Sequence, residues 1–421
     1  ATHALSRRRN SHIALNRRAE HTSIMALTST ASAPGKAILI GEHAVVYGTR
    51  SIAIAIDLRC EVTLATAEDA DDAEVTLRLA SLRTTCRWKL ATLQALARQH
   101  IVLATDGSGV APHDEPATPC TPALREALRA LLPPAVRGDG GEDAVRAAAE
   151  AFLFLYVALC APRGRPPQRA VADASLPIGA GLGSSAAYSV ALVAAMHGWR
   201  AHCAREDRAP SAPLDARERA WVNAWAFESE RLLHGRPSGV DNAVSAFGGS
   251  LAFQEGEVAP LGATPALPLL LVNTRVPRNT KALVAGVRER REALPAAYDH
   301  IFGAVHELAR SCEALFRSAD AADAAACGAR LGALVELNHA LLRALGVSHA
   351  ALERVVDVAR AHGLRAKLTG AGGGGCALVL LDPAADEEAV GRLRADLEAE
   401  GFECLRTVLG AEGARVAVRA E

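Results

Sequence analysis

A glycine-rich stretch at residues 177–187, PIGAGLGSSAA, runs directly into an apolar segment with helical spacing. Glycine lets the backbone turn tightly and approach a ligand closely. The first turn of a helix carries unpaired N–H groups and a partial positive charge. Together these features predict an anion site suited to a phosphate group. A tight turn with a serine as an ordinary helix N-cap would give the same pattern without a ligand.

Two further stretches contain glycines in a pattern that could bind a ligand. One places ionisable side chains after a glycine, and the other is a run of glycines. Residues 32–48 place Lys36 directly after a glycine, with Glu42 and His43 beyond it. The stretch 368–376, LTGAGGGGC, contains four consecutive glycines, which are costly to order and therefore indicate a ligand-binding loop. The alternatives are a solvated surface charge for the lysine and a flexible turn for the glycines.

A fourth stretch, ESERLLHGRPSGVDN at 228–242, carries two acids around a histidine and a Pro-Ser-Gly turn. The acids are Glu230 and Asp241, and the histidine is His234. Carboxylates of this kind can bind magnesium or accept a proton from an alcohol. The alternative interpretation is a helix-surface acid at 230 and a helix cap at 241.

The four stretches together suit phosphoryl transfer, which requires positioning and charge stabilisation more than covalent chemistry. Glycine loops would surround the phosphates, oxygen ligands would hold Mg²⁺, and a lysine would neutralise developing charge. Other nucleotide signatures do not occur in the sequence. It has no G-x-x-x-x-G-K-[ST] motif, its glycine loop fails G-x-G-x-x-G, and it lacks the H-R-D and D-F-G pairs of protein kinases.

Composition limits the class of protein. The chain has 421 residues, 50% hydrophobic residues and a formal net charge of −1, which predicts a folded protein of two domains without a nucleic-acid partner. No apolar run is long enough to span a bilayer. Nine scattered cysteines without C-x-x-C or Cys/His ligand spacing predict reduced thiols, no zinc site and a cytoplasmic location, with a peroxisomal one left open.

The first 30 residues are predicted to be an extension that is disordered or not native. The segment 1–24 is rich in arginine and poor in acids, as transit peptides are. We favour the alternative that it is upstream sequence ahead of a start at Met25. A polar stretch at 100–122 predicts an exposed loop that is a lineage-specific insertion.

The hydrophobic periodicity and the turn residues predict strands and helices that alternate in both halves of the chain. This order is typical of an α+β fold. Strands are predicted in 36–48, 51–80, 169–179, 266–276, 376–382, 403–410 and 414–420. Helices are predicted in 121–132, 142–161, 185 onward, 214–235, 237–249, 281–318, 320–345, 351–363 and 387–401.

The motifs resemble those of the GHMP family of small-molecule kinases, which includes galactokinase, homoserine kinase, mevalonate kinase and phosphomevalonate kinase. The family has a first motif near the N-terminus, a P-x-x-x-G-L-G-S-S-A phosphate loop and a late glycine-rich loop, and all three occur here in order. The stretches 32–48, 230–245, 273–288 and 367–376 are most similar to the mevalonate-phosphorylating branch. The resemblance covers residues 31–415.

The resemblance implies a two-domain α+β fold with the active site between the domains. The N-terminal domain, 31–265, would hold the nucleotide loop and catalytic residues. The C-terminal domain, 266–421, would be ferredoxin-like and supply the late loop. It further implies ATP and Mg²⁺ as cofactors, mevalonate as substrate, a homodimer, and feedback inhibition by prenyl diphosphates that compete with ATP.

The resemblance also assigns roles to residues. Asp241 matches the catalytic carboxylate that activates the C5 hydroxyl of mevalonate, and Lys36 matches the lysine beside it. Ser185 and Glu230 match the magnesium ligands. The phosphate loop comprises Gly179, Gly181, Leu182, Gly183, Ser184 and Ser185. The residues that contact or frame the substrate are Glu42, His43, His234, Ser238, Arg278, Thr280, Ala371 and Gly372. Arg278 would pair with the substrate carboxylate; Lys281 and Lys367 are given only surface or structural roles.

Two other functions remain open at this stage. A related kinase for another small alcohol would keep the glycine loops and lose the carboxylate-binding positions. An inactive relative with a binding role would be expected to have lost Lys36, Glu230 or Asp241, and all three are present.

Overall fold

The computed structural model describes residues 27–66, 74–101, 116–134, 141–162, 166–177, 179–203, 213–262, 264–318 and 323–420. Residues 1–26 of the predicted extension at 1–30 lie outside the described residues. Its last four residues, 27–30, already belong to the first strand. Most of the predicted loop at 100–122 lies outside the described residues as well.

The N-terminal half alternates strands with helices, as the sequence predicts. Its elements are β1 (Leu27–Ile40), a 3₁₀ turn (Ala44–Tyr47), β2 (Ser51–Ala65), β3 (Glu74–Leu79), β4 (Thr84–Lys89), α1 (Leu90–His100), α2 (Pro122–Arg129), α3 (Gly141–Leu159), β5 (Arg169–Ala174), α4 (Ser184–Cys203), α5 (Ala216–His234), α6 (Val240–Phe247), β6 (Ser250–Gln254) and β7 (Glu257–Pro260). The sequence analysis did not identify β4, α1 or the β6–β7 hairpin.

The C-terminal half has the predicted ferredoxin-like topology. Its elements are β8 (Leu267–Asn273), α7 (Thr280–Ala293), α8 (Pro295–Arg317), α9 (Ala324–Ala344), α10 (Ala350–Ala361), β9 (Arg365–Leu368), β10 (Cys376–Leu380), α11 (Glu387–Ala399), β11 (Glu403–Leu409) and β12 (Arg415–Ala420). Its sheet has the antiparallel order β11-β8-β10-β9, and helices connect β8 to β9 and β10 to β11.

The prediction of one helix over 281–318 is wrong. The structure has two helices there, because Pro295 occupies the first position of α8 and Leu294 takes a non-helical conformation. Proline lacks the N–H that a continuing helix needs and restricts the residue before it, but it suits the first turn of a new helix.

The strands of both halves join in one twelve-stranded sheet in which β2 has a central place. β2 pairs with β1, β5 and β6, and it contacts the C-terminal sheet where Ile56 lies opposite Leu409 of β11. The last strand, β12, returns to the N-terminal half and pairs with β1. The domain boundary near residue 265 stays a prediction.

Helix α4 is the central helix of the N-terminal half. Residues 186–201 are all buried, and the helix packs on β1, β2, β12, α3, α5 and α6. A helix that is apolar on all sides is expected in such a position. None of the described helices is long and apolar enough to cross a membrane.

Close packing between α4 and the terminal strands depends on Gly198. A Cβ atom added there would lie 2.7 Å from Val416 Cγ2, 2.9 Å from Ser29 Oγ and 3.0 Å from Val418 Cγ2. Two of these neighbours are β-branched residues with stiff side chains, so the contact has little room to relax.

We therefore expect Gly198→Ala to lower the free energy of unfolding by about 1–3 kcal/mol through overpacking. The matched control is Gly303→Ala in α8, where an added Cβ would have no neighbour within 4 Å. That change should raise stability by about 0.5–1 kcal/mol, because alanine favours a helix over glycine. Urea denaturation of both variants measures the difference, and equal stabilisation by both would contradict the packing described here.

Candidate active site

The glycine loop between β5 and α4 has the backbone geometry of an anion site. Gly179, Gly181 and Gly183 have φ angles of 74°, 80° and 71°, a region that favours glycine. Ser184 then begins α4, a helix of 20 residues whose first N–H groups point toward the loop. Loop and helix together provide the partial positive charge that binds phosphate oxygens.

Lys36 and Asp241 form an ion pair beside this loop. The Lys36 Nζ atom lies 3.2 Å from Asp241 Oδ1, and the lysine backbone N–H donates to the Leu182 carbonyl at 2.8 Å. A Cβ on Gly183 would lie 3.0 Å from Lys36 Cγ, and the φ angle of 71° is one that side chains rarely adopt, so both features favour glycine there. The lysine side chain is 9% exposed and the aspartate side chain 39% exposed. The carboxylate is therefore open to a ligand, while the ammonium is held in place behind it.

Ser185 and Glu230 lie together at the start of α4. Ser185 Oγ donates to Glu230 Oε2 at 3.2 Å. Glu230 is 4% exposed, and its Oε1 atom has no hydrogen-bond partner among the described residues. Burial, reinforced by the charge of Asp241, raises the pKa of Glu230 to about 7.

This pair of oxygen ligands fits a magnesium ion. A buried carboxylate with a free oxygen is costly unless a cation or a proton neutralises it. The described residues contain no cluster of three or more His, Cys, Asp or Glu side chains that could hold a metal. Magnesium does not need one, since it commonly takes one or two protein ligands and completes its shell with phosphate oxygens and water.

His234 and Arg278 bring further polar groups to the loop. His234 Nε2 lies 3.2 Å from Ser185 Oγ, and its side chain is 54% exposed. A Cβ on Gly181 would lie 1.9 Å from Arg278 Nη2, so the guanidinium packs directly on the glycine loop. Its Nη1 atom is buried and has no hydrogen-bond partner within the described part of the chain. An anionic ligand in the cavity could accept a hydrogen bond from this atom.

One cavity of about 610 Å³ contains most of these groups. Of the predicted site residues, those that line it are Gly179, Gly181, Gly183, Ser184, Ser185, Glu230, His234, Ser238, Asp241, Arg278 and Thr280. Lys36 is not among the lining residues, but it forms an ion pair with Asp241, which is. Leu182 is buried behind the glycine loop and is 1% exposed.

The remaining predicted residues lie away from the lining of this cavity. His43 Nε2 donates to the Ala371 carbonyl at 2.8 Å, and burial lowers the pKa of His43, which favours the neutral ring. A Cβ on Gly372 would meet the Val347 carbonyl at 2.0 Å, so the late loop is closely packed. Glu42 is 3% exposed and faces the protein interior. The geometry favours a framing role over direct contact for these residues.

Part of the cavity wall is apolar, and the sequence analysis did not identify it. Leu79 of β3, Tyr188 of α4 and Leu233 of α5 line it together with small residues of α3, Ala144, Ala147 and Ala148. The three alanines follow the i, i+3, i+4 spacing of one helix face, which is the signal that could have indicated it. An apolar compartment next to a phosphate loop suits the base of a nucleotide.

Comparisons with known proteins identify the family of the chain. The family model described as GHMP kinases N terminal domain matches residues 145–249, and the one described as GHMP kinases C terminal matches residues 321–399. Mevalonate kinase of Homo sapiens is 39% identical over 393 residues, which cover 91% of this chain and 94% of that protein. Mevalonate kinase of Bos taurus is 38% identical over 395 residues, with the same coverage.

Solved structures share the fold. The crystal structure of the Methanococcus jannaschii mevalonate kinase superposes with a TM-score of 0.61 at 23% identity. The match covers 90% of this chain and 97% of that chain.

The buried carboxylate of Glu230 predicts a pH-dependent stability in metal-free protein. Its pKa is about 7 in the folded state, above the ordinary glutamate value of 4.5. The folded state therefore keeps a proton that the unfolded state has released. Stability should fall by about 3 kcal/mol as the pH rises through this interval. Glu230→Gln should lack this loss, and urea denaturation in a chelating buffer at several pH values measures it.

The matched control is Glu289→Gln, which removes an exposed glutamate of α7. Its pH dependence should follow that of the wild type. Parallel pH curves for Glu230→Gln and the wild type would contradict the assignment of a buried carboxyl group with a raised pKa at 230.

Proposed function

The chain belongs to the mevalonate kinases of the GHMP kinase family, and from that membership we propose that it transfers the γ-phosphate of ATP to the C5 hydroxyl of (R)-mevalonate by direct in-line displacement. The products are ADP and 5-phosphomevalonate. The reaction is an early step of isoprenoid and sterol synthesis. The observation that carries the proposal is the ion pair between Lys36 and Asp241 at 3.2 Å beside the glycine loop.

Asp241 acts as the base in this proposal. The C5 oxygen forms a bond to the γ-phosphorus as the bond between that phosphorus and the β,γ-bridging oxygen breaks, and ADP leaves with the electron pair. The hydroxyl proton passes to the carboxylate of Asp241, whose 39% exposure leaves it accessible. Because phosphoryl transfer proceeds through a loose transition state, a weak base that is well positioned is sufficient.

Lys36 stabilises charge on the same oxygen. Its ammonium is held by the Asp241 carboxylate, and its backbone N–H donates to the Leu182 carbonyl. A buried cation fixed in advance needs no reorganisation when negative charge develops on the reacting oxygens.

ATP would bind across the cavity with its phosphates over the glycine loop and its base against the apolar part of the wall. Ser185 and Glu230 would hold magnesium, which supplies positive charge to the β- and γ-phosphate oxygens when it is bound. The Glu230 Oε1 atom, which has no hydrogen-bond partner in the described part of the chain, supports this assignment.

Arg278 would pair with the carboxylate of mevalonate. Its buried Nη1 atom supports this role, because it has no hydrogen-bond partner among the residues that the structure describes. His234, Ser238 and Thr280 line the same cavity and would contact the substrate. For Glu42, His43, Ala371 and Gly372 we retain a framing role, and for the domains we retain a boundary near residue 265.

Three further properties follow from family membership and stay proposals. The chain would form a homodimer, act in the cytoplasm, and be inhibited by prenyl diphosphates that compete with ATP. The last is supported by the cavity, since a diphosphate would occupy the glycine loop and an apolar chain the compartment beside it.

We expect Asp241→Asn to lower kcat by about 10²–10⁴-fold, because the amide cannot accept the proton. ADP formation with mevalonate measures kcat, and a nucleotide-binding titration checks that ATP still binds. A kcat within tenfold of the wild-type value would contradict the role of Asp241 as the base.

The control for substrate class is the wild-type protein assayed with mevalonate, galactose and homoserine. Turnover with mevalonate alone is expected. Turnover with another alcohol and not with mevalonate would contradict the assignment of mevalonate as the substrate. No turnover by folded, ATP-binding protein would favour an inactive relative.

Glu230→Gln should raise the magnesium concentration needed for half-maximal activity by about tenfold, equivalent to about 1.4 kcal/mol of binding energy. The amide keeps the shape of the carboxylate but loses the charge that attracts the cation. A magnesium titration at saturating ATP and mevalonate measures the shift. An unchanged titration would contradict the assignment of Glu230 as a ligand.

A further inference from the structure

The strand that carries Lys36 is irregular just beyond that residue. The pairing of β1 with β2 changes register between Ile38 and Ile40, so Leu39 is an extra residue on β1. Such a bulge removes ladder hydrogen bonds from the backbone groups around it. Leu39 is buried and Ile38 is half-buried, so their backbone groups need other partners to remain stable.

Side chains from the C-terminal half supply those partners. Thr369 Oγ1 accepts from the Ile38 N–H at 3.1 Å and donates to the Ile38 carbonyl at 3.0 Å. Lys367 Nζ donates to the same carbonyl at 3.2 Å. Asn338 Nδ2 donates to the Leu39 carbonyl at 3.4 Å. The end of β1 is thereby bound to β9 and α9.

A buried ion pair completes this connection. Lys367 Nζ bonds to Glu42 Oε1, and the side chains of the two residues are 0% and 1% exposed. Asn338 donates to the other carboxylate oxygen at 3.0 Å. The next residue, His43, donates to Ala371 in the late glycine loop. Residues 38–43 and 367–371 are therefore joined along their length.

Stability alone does not explain a charged pair in this place. A buried ion pair is weak evidence for stability, because two apolar side chains of similar volume are often as stabilising. The chain contains only four lysines among 46 basic residues, and Lys36 and Lys367 are the two that are buried. An ammonium can hold a carboxylate and a backbone carbonyl at the same time, which an apolar side chain cannot do.

We propose that Lys367 is a positioning residue for phosphoryl transfer: through Glu42 and the Ile38 carbonyl, and together with Thr369, it holds the bulged end of β1 so that Lys36 stays against Asp241. The proposal rests on the function proposed above for that pair. Lys36 lies two residues before Ile38 on the same strand, so displacement of the bulge displaces the ammonium. An error of about 1 Å in a reacting group can cost about 10²-fold in rate.

The test compares two variants that loosen this connection. Lys367→Met removes the ammonium and keeps the length of the side chain, and we expect kcat to fall by about 10²-fold with a smaller change in KM for mevalonate and ATP. Thr369→Val removes only the hydroxyl and buries no unpaired charge, so it serves if Lys367→Met does not fold. We expect it to lower kcat by about tenfold, since it leaves the Lys367 bonds in place.

Two controls separate positioning from general stability. Thr369→Ser keeps the hydroxyl and should restore most of kcat. Leu393→Ala opens a cavity in α11, which packs on α10 and β11, and should lower the melting temperature without lowering kcat. All variants are assayed well below the melting temperature of the least stable one.

The outcomes distinguish this proposal from the function on which it rests. If Asp241→Asn is inactive while folded Lys367→Met and Thr369→Val keep kcat within about threefold of wild type, the positioning role is overturned and the mechanism stands. A loss of kcat in Leu393→Ala equal to that in Thr369→Val would also overturn it. Full activity of Asp241→Asn would overturn the mechanism itself. A selective loss of kcat in Lys367→Met and Thr369→Val supports the proposal.

Discussion

A buried lysine ammonium facing an accessible carboxylate is the arrangement on which the rest of this structure depends. Taking the charge of Lys36 out of water is unfavourable unless a partner is fixed close by. Asp241, at the start of α6, provides that partner at 3.2 Å. The positive φ of Gly183 and its lack of a side chain let the lysine pass directly over the glycine loop. Loop, lysine and carboxylate therefore constrain one another.

The fold brings these groups from distant parts of the chain to one place. β1 carries Lys36, the start of α4 carries Ser185, the end of α5 carries Glu230, and the start of α6 carries Asp241. Helix α4 packs on β1, α5 and α6, so a single buried helix holds all four positions. The site is thus built on regular elements, which fix side chains more firmly than loops do.

The sequence predicted a large part of this arrangement. The glycine spacing at 179–183 identified a loop that the structure confirms as a helix N-terminus with left-handed glycines, and the ferredoxin-like half is confirmed by its strand order. These features depend on local patterns. The roles of Asp241, Lys36 and the other site residues stay predictions, because geometry brings the groups together without showing a reaction.

The features that the sequence analysis missed depend on contacts between distant residues. The sequence leaves a surface or a structural role open for Lys367. The structure excludes the surface role, because Lys367 is fully buried against Glu42 of the other half of the chain. No periodicity in either segment could indicate that pairing. The same holds for β12, which leaves the C-terminal half and pairs with β1. The break at Pro295 is different, since the proline itself was a local signal for a new helix.

The central claim is that Lys36 and Asp241 act on the hydroxyl that receives the phosphate. A crystal structure of the full chain with mevalonate, magnesium and a non-hydrolysable ATP analogue tests it most directly. We expect the C5 hydroxyl within about 3 Å of the Asp241 carboxylate and about 3–3.5 Å from the γ-phosphorus, with the Lys36 ammonium beside it. Mevalonate bound with its C5 hydroxyl away from Asp241, in a complex with the triphosphate ordered over the glycine loop, would contradict it.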